Sequence, residues 1–569
     1  MQANPGIEQV QRTRLIFVGL ALTIFAGLIV QRLYWYQIAE HERFAALASE
    51  EHQQRRPIVP RRGSLLDTHG RPLALNVMYD AVYVHRTEMT NVERTASFLA
   101  DALGMPKDDV RGRIYESDRT WTLLAARVPA NAAARVESER LPGVELQRLP
   151  AREYPEGSTA AQVLGFVGAE GRGLTGLELT LDLELAGKPG VVLTERDTTG
   201  GEITIARKAL IPAVSGADVV LTIDRYIQRV VERELTRAVQ TNKATGGLII
   251  VMEPSTGAIL AAASSPTYSL TGSGFDPAHS ALYKPSIATD TYEPGSVMKL
   301  ITTAAAIDEG AVTPDTPYFD SGVALVNGVP IRNWDGGSYG NVNVRQIVVH
   351  SLNTGMQWVA GALGPDRFYE YLQAFGFGEP TGVQLNGEAS GSFRRPSSPG
   401  WSRIDLATNS YGQSVSVTPL QMITAVAALG NGGVLMRPQL VREIRGQDGP
   451  QAVEPEPVRA VVSPRTANTM LDIMVTTWSQ PALVANRIEG YTLAAKSGTA
   501  DIPGPGGYSS GKTYASYVGF GPIPTPRFVV LVRLDRPEAI YGGAVAAPVF
   551  RNVVTELLTY LQIPPRTSR

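Results

Sequence analysis

Cysteine is absent from all 569 residues. That absence removes disulfides, thiolate-held zinc and a cysteine nucleophile together, and it suits a protein working outside the cytoplasm. Histidine is nearly as scarce. His41, His52, His69, His85, His279 and His350 stand apart with no metal-ligand spacing, so neither a catalytic metal nor a cofactor is expected. Excess charge of either sign is missing too: 52 Lys and Arg face 54 Asp and Glu. The net charge of -2 gives no electrostatic reason to expect nucleic acid as a partner. Internal repeats and long low-complexity tracts are also absent. What remains, 43% hydrophobic and 7% aromatic, is an ordinary globular composition long enough for about three or four domains.

Long apolar runs are missing with one exception. From Leu15 to Val30 every residue is apolar, Gly or Thr, and Leu33-Tyr34-Trp35-Tyr36 extends the run. As a helix, residues 15–36 cover about 33 Å at ~1.5 Å per residue, enough for a hydrocarbon core of ~30 Å. Arg12 and Arg14 place residues 1–14 in the cytoplasm, and the Tyr-Trp-Tyr cluster suits the outer interface. The run is too long for a cleaved signal peptide, and no small-x-small site follows it, so an uncleaved single-pass anchor is expected. No second span follows, which places everything after about residue 37 outside the cytoplasmic membrane.

Residues 37–210 read as a non-catalytic pedestal. A polar helical continuation gives way to extended chain at Arg56-Pro57-Ile58-Val59-Pro60, then to two short strands around a turn at 67–70. Val92 to Leu103, Asp108 to Tyr115 and Ala130 to Arg140 are patterned as helices, whereas 152–210 is glycine-rich and β-like. No acid, base and nucleophile group together here. From residue 216 to 569 the pattern changes. A short strand enters a helix capped by Asp224, and Gly247 to Met252 with Ala258 to Ala263 forms a hairpin. Tyr517 to Phe520 and Phe528 to Leu534 form another, followed by a helix from about Ala546 to Leu561. Strands at both ends and a helix-rich middle predict one α+β domain whose terminal segments share an antiparallel sheet, with a separate helical subdomain.

The chemistry centres on Tyr292-Glu293-Pro294-Gly295-Ser296-Val297-Met298-Lys299-Leu300. A helix starting at about Ser296 puts Ser296 and Lys299 one turn apart on one face. Leu300 to Ile307 offers almost no polar face, so the helix is expected to be buried all round. A lysine rooted there loses solvation and moves toward a neutral amine beside a hydroxyl, the arrangement for covalent serine catalysis. Ser-x-x-Lys alone is weak: Ser509-Ser510-Gly511-Lys512 matches it in a Gly-rich run with no helix following. Ser351-Leu352-Asn353 follows a helical run from Val344, a place where Ser and Asn also simply end helices. Lys496-Ser497-Gly498-Thr499 closes an apolar strand, and Gly498 inside it implies a close approach by backbone or ligand.

The three pieces, in this order and on these elements, resemble the motif set of the penicilloyl-serine transferases, a β-lactamase/transpeptidase-like fold. Arg62-Gly63-Ser64-Leu65-Leu66-Asp67, Tyr154-Pro155-Glu156-Gly157 and Gly173-Leu174-Thr175-Gly176-Leu177-Glu178 resemble N-terminal motifs of class B penicillin-binding proteins. Asp218 to Asp224, Thr418-Pro419-Leu420-Gln421 and Asn431-Gly432-Gly433 are similar to segments of their transpeptidase domain. The resemblance implies a monofunctional D,D-transpeptidase, without a glycosyltransferase domain, that cross-links peptidoglycan. It implies Ser296 as nucleophile, Lys299 as its base, and Ser351, linked to Lys496, as the proton relay to the departing D-Ala. Asn353 would hold the substrate amide; Lys496, Ser497, Gly498 and Thr499 would bind the terminal carboxylate, with N–H groups of Ser296 and Thr499 as oxyanion hole. β-Lactams would acylate Ser296.

Asn353 and Ser497, in place of Asp and Thr, resemble the cell-division (septal) branch more than rod elongation. The implied partners are D-Ala-D-Ala donor and amine acceptor stem peptides, a membrane glycosyltransferase of the shape, elongation, division and sporulation (SEDS) type, and divisome proteins. Alternatives are an elongation-type class B transpeptidase, a D,D-carboxypeptidase, and a non-catalytic β-lactam-binding sensor or scaffold; a sensor would carry several spans and a cytoplasmic signalling domain. Gly336-Gly337-Ser338-Tyr339-Gly340 fits a hydrolase nucleophile pattern but lacks the strand before it and helix after it, so a surface turn is expected. His350, adjacent to Ser351 on a helix, points elsewhere and is given no catalytic role.

Overall fold

A computed structural model describes residues 5–44, 53–116, 121–195, 209–271, 275–504 and 507–566. The chain divides into two units, Met1–Pro60 with Gly187–Ser215, and Arg61–Ala186 with Gly216–Arg569. The first holds the helix Pro5–Tyr34, which runs into a π-helical turn, Trp35–Ala39, and a three-stranded antiparallel sheet. Gly190–Glu195 lies between Gln53–Ile58 and Ala209–Ile211 in that sheet. Among the described residues, one helix is long and apolar enough to cross a membrane. Phe17, Leu22 and Phe25 are exposed on it, a surface that water disfavours. Past residue 37 helix extends to Phe44; the remainder of the expected polar continuation, to residue 52, lies outside the described residues.

The second unit is α+β. Its five-stranded antiparallel sheet runs Ile259–Ser265, Gly246–Met252, Phe528–Asp535, Gly507–Gly521, Ala494–Gly504. The two apolar runs from opposite ends of the domain pair directly, Ile250 against Leu531 and Val251 against Val530. Side chains alternate between two cores. Ile249, Val251, Val530 and Val532 pack with the helices Arg225–Thr241 and Ala547–Tyr560 through Val231, Leu235, Phe550 and Val554. Leu248, Ile250, Val529 and Leu531 face the helical region on the other side. Burial on both faces is why these strands read as unbroken apolar runs and not as an apolar–polar alternation. At the centre of the helical region lies Met298–Asp308, with every residue from Met298 to Ala306 buried.

Residues 61–186 fold around a second sheet. In order it runs Gly449–Ala452, Val441–Gly446, Asp218–Leu221, Leu65–Leu66, Pro72–Val84 and Thr122–Val128, and Val144–Glu153 also pairs with Pro72–Val84. Helices Val92–Leu103, Lys107–Glu116 and Ala130–Glu139 stand close to where their periodicity placed them and bury Leu99, Val110, Ile114 and Val136. The strands Thr122–Val128 and Val144–Glu153 between and after them were not expected. The β-like reading of 152–210 holds for the strand Gly190–Glu195 but is corrected over 161–186, where Ala161–Leu164, Gly176–Thr180 and Asp182–Ala186 are helical. Leu177, Leu181 and Leu185, four apart, are all buried, so a helical period lay beneath the glycines.

These short helices carry a buried ion cluster. Glu178, fully buried, accepts from Arg62 Nε at 2.8 Å and Arg152 Nε at 2.7 Å, while Arg62 Nη1 reaches Asp182 at 2.7 Å. Arg152 Nη1 also donates to the Gly63 carbonyl at 2.7 Å. The cluster thereby stitches residues 62–63, 152 and 178–182; Arg62, Gly63 and Glu178 belong to two of the N-terminal motifs, and Arg152 lies two residues before the third. Glu178→Ala would take the shared carboxylate from two buried guanidiniums, leaving Arg62 its second partner Asp182, and is expected to cost about 3–5 kcal/mol, read as a lower urea midpoint of the detergent-solubilised chain. Leu183→Ala, at a side chain 92% exposed, serves as the control and is expected to stay within about 0.5 kcal/mol.

Candidate active site

Ser296 lies in a single 3-10 turn, Gly295–Val297, that feeds directly into the helix Met298–Asp308. Gly295 takes φ +56°, and a Cβ there would stand 2.6 Å from the Thr499 carbonyl oxygen. Glycine is therefore what lets the serine turn close against the strand Ala494–Gly504. The Gly295 N–H donates to the Gly412 carbonyl at 3.0 Å, and Tyr292 bridges to Val417, fixing the turn from its other side. Among the described residues the Ser296 hydroxyl donates no hydrogen bond, and its side chain is partly exposed.

Lys299, one turn on, is completely buried. Its Nζ donates to the Ser351 carbonyl at 2.6 Å, Ser351 Oγ at 3.2 Å and Asn353 Oδ1 at 2.8 Å. Ser351 Oγ is also 3.1 Å from Lys496 Nζ, which donates in addition to the Ser497 carbonyl at 2.9 Å. One hydroxyl thus joins two buried lysines. Burial, and secondarily the charge of Lys496, push Lys299 well below the ordinary lysine range. Burial pushes Lys496 down to about 7. Amines held near neutrality can accept a proton from an adjacent hydroxyl and return it.

Local sequence explains how Ser351 arrives there. The helix Val344–Val349 begins with a capping box of Asn343 and Gln346 and ends at His350. Ser351 follows at φ +59°, a left-handed position usually taken by glycine at a helix end, and the Leu352 N–H closes back on the Ile347 carbonyl at 2.9 Å. Holding a serine there costs about 1 kcal/mol of backbone strain and aims its hydroxyl between the lysines. Asn353 then opens the helix Asn353–Leu363, and its Nδ2 donates to the Arg332 carbonyl at 3.0 Å. Behind it, buried Asp320 accepts from Thr354 Oγ1 at 2.6 Å, Asn333 Nδ2 at 2.9 Å and the Tyr339 N–H at 2.9 Å. That carboxylate ties the start of the Asn353 helix to the loop after Arg332.

On the facing wall, Lys496, Ser497, Gly498 and Thr499 lie on the edge strand Ala494–Gly504, paired with Val518, Tyr517, Ser516 and Ala515. A Cβ at Gly498 would fall 2.3 Å from Ser516 Oγ and 2.8 Å from Val297, so the glycine admits the serine turn. Thr499 Oγ1 accepts the Gly542 N–H at 3.1 Å. The structure therefore gathers all the motif residues, Ser296, Lys299, Ser351, Asn353 and Lys496 to Thr499, at one site. It leaves the other candidates out of it. Residues 509–512 lie within the strand Gly507–Gly521, and residues 336–339 form a loop between the strands Val329–Arg332 and Gly340–Asn343. No motif pointed to Arg332, Asp320 or Gly542; the Gly542-Gly543 pair before an apolar helix was the one local hint.

A serine turn sharing a groove wall with a Lys-Ser-Gly-Thr edge strand, and two buried lysines meeting on one hydroxyl, define an acyl-transfer site. Comparison with known proteins agrees. The profile of the penicillin binding protein transpeptidase domain matches residues 247–555, and that of the penicillin-binding protein dimerisation domain matches residues 57–221. The chain belongs to the penicillin-binding protein transpeptidases. It is 32% identical to stage V sporulation protein D of Bacillus subtilis, over 98% of this chain and 87% of that one. It is 30% identical to the peptidoglycan D,D-transpeptidase FtsI of Escherichia coli K12, over 96% and 91%. A crystal structure of penicillin binding protein 3 from Mycobacterium tuberculosis with aztreonam superposes at a TM-score of 0.69 and 25% identity, covering 90% of this chain and 98% of that one.

The depressed Lys496 has a consequence for stability that can be signed. Unfolded, the amine takes its ordinary value of 10.5; folded, about 7. Between those values the unfolded chain binds the extra proton, so native stability rises with pH by about 1.4 kcal/mol per unit. Lys496→Met removes that slope. The variant is expected to be more stable than the parent at pH 7, and its advantage to shrink by about 3 kcal/mol by pH 9, measured as urea midpoints at both pH values.

Proposed function

We propose that this protein is a membrane-anchored peptidoglycan D,D-transpeptidase that cross-links stem peptides through an acyl-enzyme on Ser296 and is acylated there by β-lactams. The observation that carries the reading is Ser351 Oγ hydrogen-bonded to both Lys299 and Lys496, with Lys299 one turn from Ser296. Neutral Lys299 takes the Ser296 proton as Oγ attacks the penultimate D-Ala carbonyl. The N–H groups of Ser296 and Thr499 receive the oxyanion, a contribution of about 100-fold or more per donor. Ser351, coupled to Lys496, passes the proton to the departing D-Ala amine. Asn353 holds the peptide amide, and Lys496 with the Ser497 and Thr499 hydroxyls receives the terminal carboxylate.

The helix within residues 15–36 anchors the chain, with residues 1–14 in the cytoplasm and the catalytic part outside. Residues 37–210 act as a pedestal and 216–569 as the transpeptidase domain. We assign the septal branch, which the similarity to FtsI and the residues Asn353 and Ser497 support. The anchor and pedestal would then serve a SEDS-type glycosyltransferase and divisome proteins. The first test is intact mass and peptide mapping after incubation with benzylpenicillin, on the full-length protein in detergent. One adduct on the Ser296 peptide is expected, absent in Ser296→Ala. Lys299→Met should acylate about 100- to 10,000-fold more slowly. No adduct, or one elsewhere, rejects the assignment.

A further inference from the structure

The mouth of the groove carries an aromatic pair that no step of the proposed mechanism uses. Trp334 and Tyr541 meet edge to face, ring centroids 5.5 Å apart at 73°, although 207 residues separate them in the chain. Each belongs to a different wall. Trp334 Nε1 donates to the His350 carbonyl at 3.2 Å, immediately before Ser351. Its loop is pinned by Asp320 through Asn333 and Tyr339, and Arg332, two residues back, accepts from Asn353. Tyr541 precedes Gly542, whose N–H is the donor to Thr499 Oγ1. The pair therefore joins the Ser351–Asn353 wall to the Thr499 wall. Both rings remain about half exposed, 55% for Trp334 and 47% for Tyr541. Two large aromatic side chains that meet each other yet stay half in water are costly unless something covers them in use.

Their place in the reaction follows from symmetry. D-Ala leaves as an amine and another amine replaces it, so expulsion and attack are one step run in opposite directions along one approach. The carboxylate recess at Lys496 to Thr499 puts the departing D-Ala at the end of the groove where Tyr541 stands. We propose that Trp334 and Tyr541 form an aromatic gate over this leaving-group end, closing over the acyl-enzyme against water and parting for an amine acceptor with an aliphatic stem. The inference rests on the Ser296 acyl-enzyme. In the favoured outcome the acceptor nitrogen bonds to the carbonyl carbon, the Ser296 Oγ–C bond breaks, and the amine's proton returns to Oγ. With water in the amine's place the same bonds change and a free carboxylate results.

The test uses full-length protein in detergent with Trp334→Ala, Tyr541→Ala, the double variant, and the conservative Trp334→Phe and Tyr541→Phe. Three quantities are read: the rate of Ser296 acylation by benzylpenicillin, the lifetime of that adduct, and the product ratio from an N-acyl-D-alanine thioester with added D-leucine. The alanine variants are expected to lose the adduct about 10-fold faster and to shift products toward hydrolysis by about 10-fold, with acylation changed less than about 3-fold. The phenylalanine variants, which keep the apolar rings, should stay close to the parent. A double variant with parental adduct lifetime and product ratio overturns the gate. So does a fall in acylation as large as the change in partition, which would mark a purely structural role. A parent protein that forms no Ser296 adduct instead overturns the acyl-enzyme reading beneath it.

Discussion

The constraint on which the rest of this structure depends is the burial of two lysines against one another. Lys299 and Lys496 are 0% and 1% exposed, and among the described residues neither has a carboxylate partner. Two ammonium groups in such a place would repel each other and lack solvent, so the fold holds the amines toward neutrality and satisfies them with oxygen acceptors that carry no net charge. Those acceptors come from two separate segments: the Ser351 carbonyl and hydroxyl with the Asn353 amide in one, and the Ser497 carbonyl in the other. No local stretch of chain could assemble them. The five-stranded sheet fixes Lys496, the buried central helix fixes Lys299, and the left-handed turn at Ser351 brings the shared hydroxyl between them.

The second buried charge cluster of the chain shows the opposite solution. Arg62 and Arg152 are also buried, but both pair with the Glu178 carboxylate at 2.7–2.8 Å, Arg62 pairs with Asp182 as well, and further hydrogen bonds go to backbone carbonyls. Guanidinium groups do not lose their protons, so burying them requires paired charge, and the pairing fixes geometry. Lysine amines can lose theirs, so burying them unpaired stores a base. Choice of cation and choice of partner thus separate a cluster that holds segments together from one suited to proton transfer. The cost of the second kind falls on stability, and the two large apolar cores on either side of the sheet offset it.

Much of this was legible in the sequence because the informative features were local. Ser296 and Lys299 share a turn, the terminal strands are continuous apolar runs, and the helices at 92–103 and 130–139 carry an apolar period that survives in isolation. The 161–186 stretch misled because glycines at turns and close approaches masked the spacing of Leu177, Leu181 and Leu185. The strands Thr122–Val128 and Val144–Glu153 were missed because their alternation is weak where one face is only partly buried. Asp320, Arg332 and the Trp334–Tyr541 contact were out of reach for a different reason. Arg332 acts through its carbonyl, Asp320 through partners up to 34 residues away, and the aromatic pair through contact across the groove. None of these leaves a pattern along the chain.

Dryness is what links the lysines to the mouth of the groove. Burial keeps water from the Lys299 amine and holds it below the ordinary lysine range, and an ester on Ser296 would persist only if water is kept from its carbonyl. The first exclusion is achieved by packing, since the helix bearing Lys299 is buried on every side. The second cannot be, because a peptide must enter and an amine must follow it. A site that needs a permanently dry base beside an intermittently open carbonyl therefore calls for a rigid interior and a movable apolar cover. Trp334 and Tyr541 are aromatic, half exposed and placed on opposite walls by hydrogen bonds of Trp334 Nε1 and of the chain around each residue, while the two rings meet each other edge to face. The backbone around each residue places the rings, and an edge-to-face contact worth about 1 kcal/mol leaves them able to separate, which is the property such a cover requires.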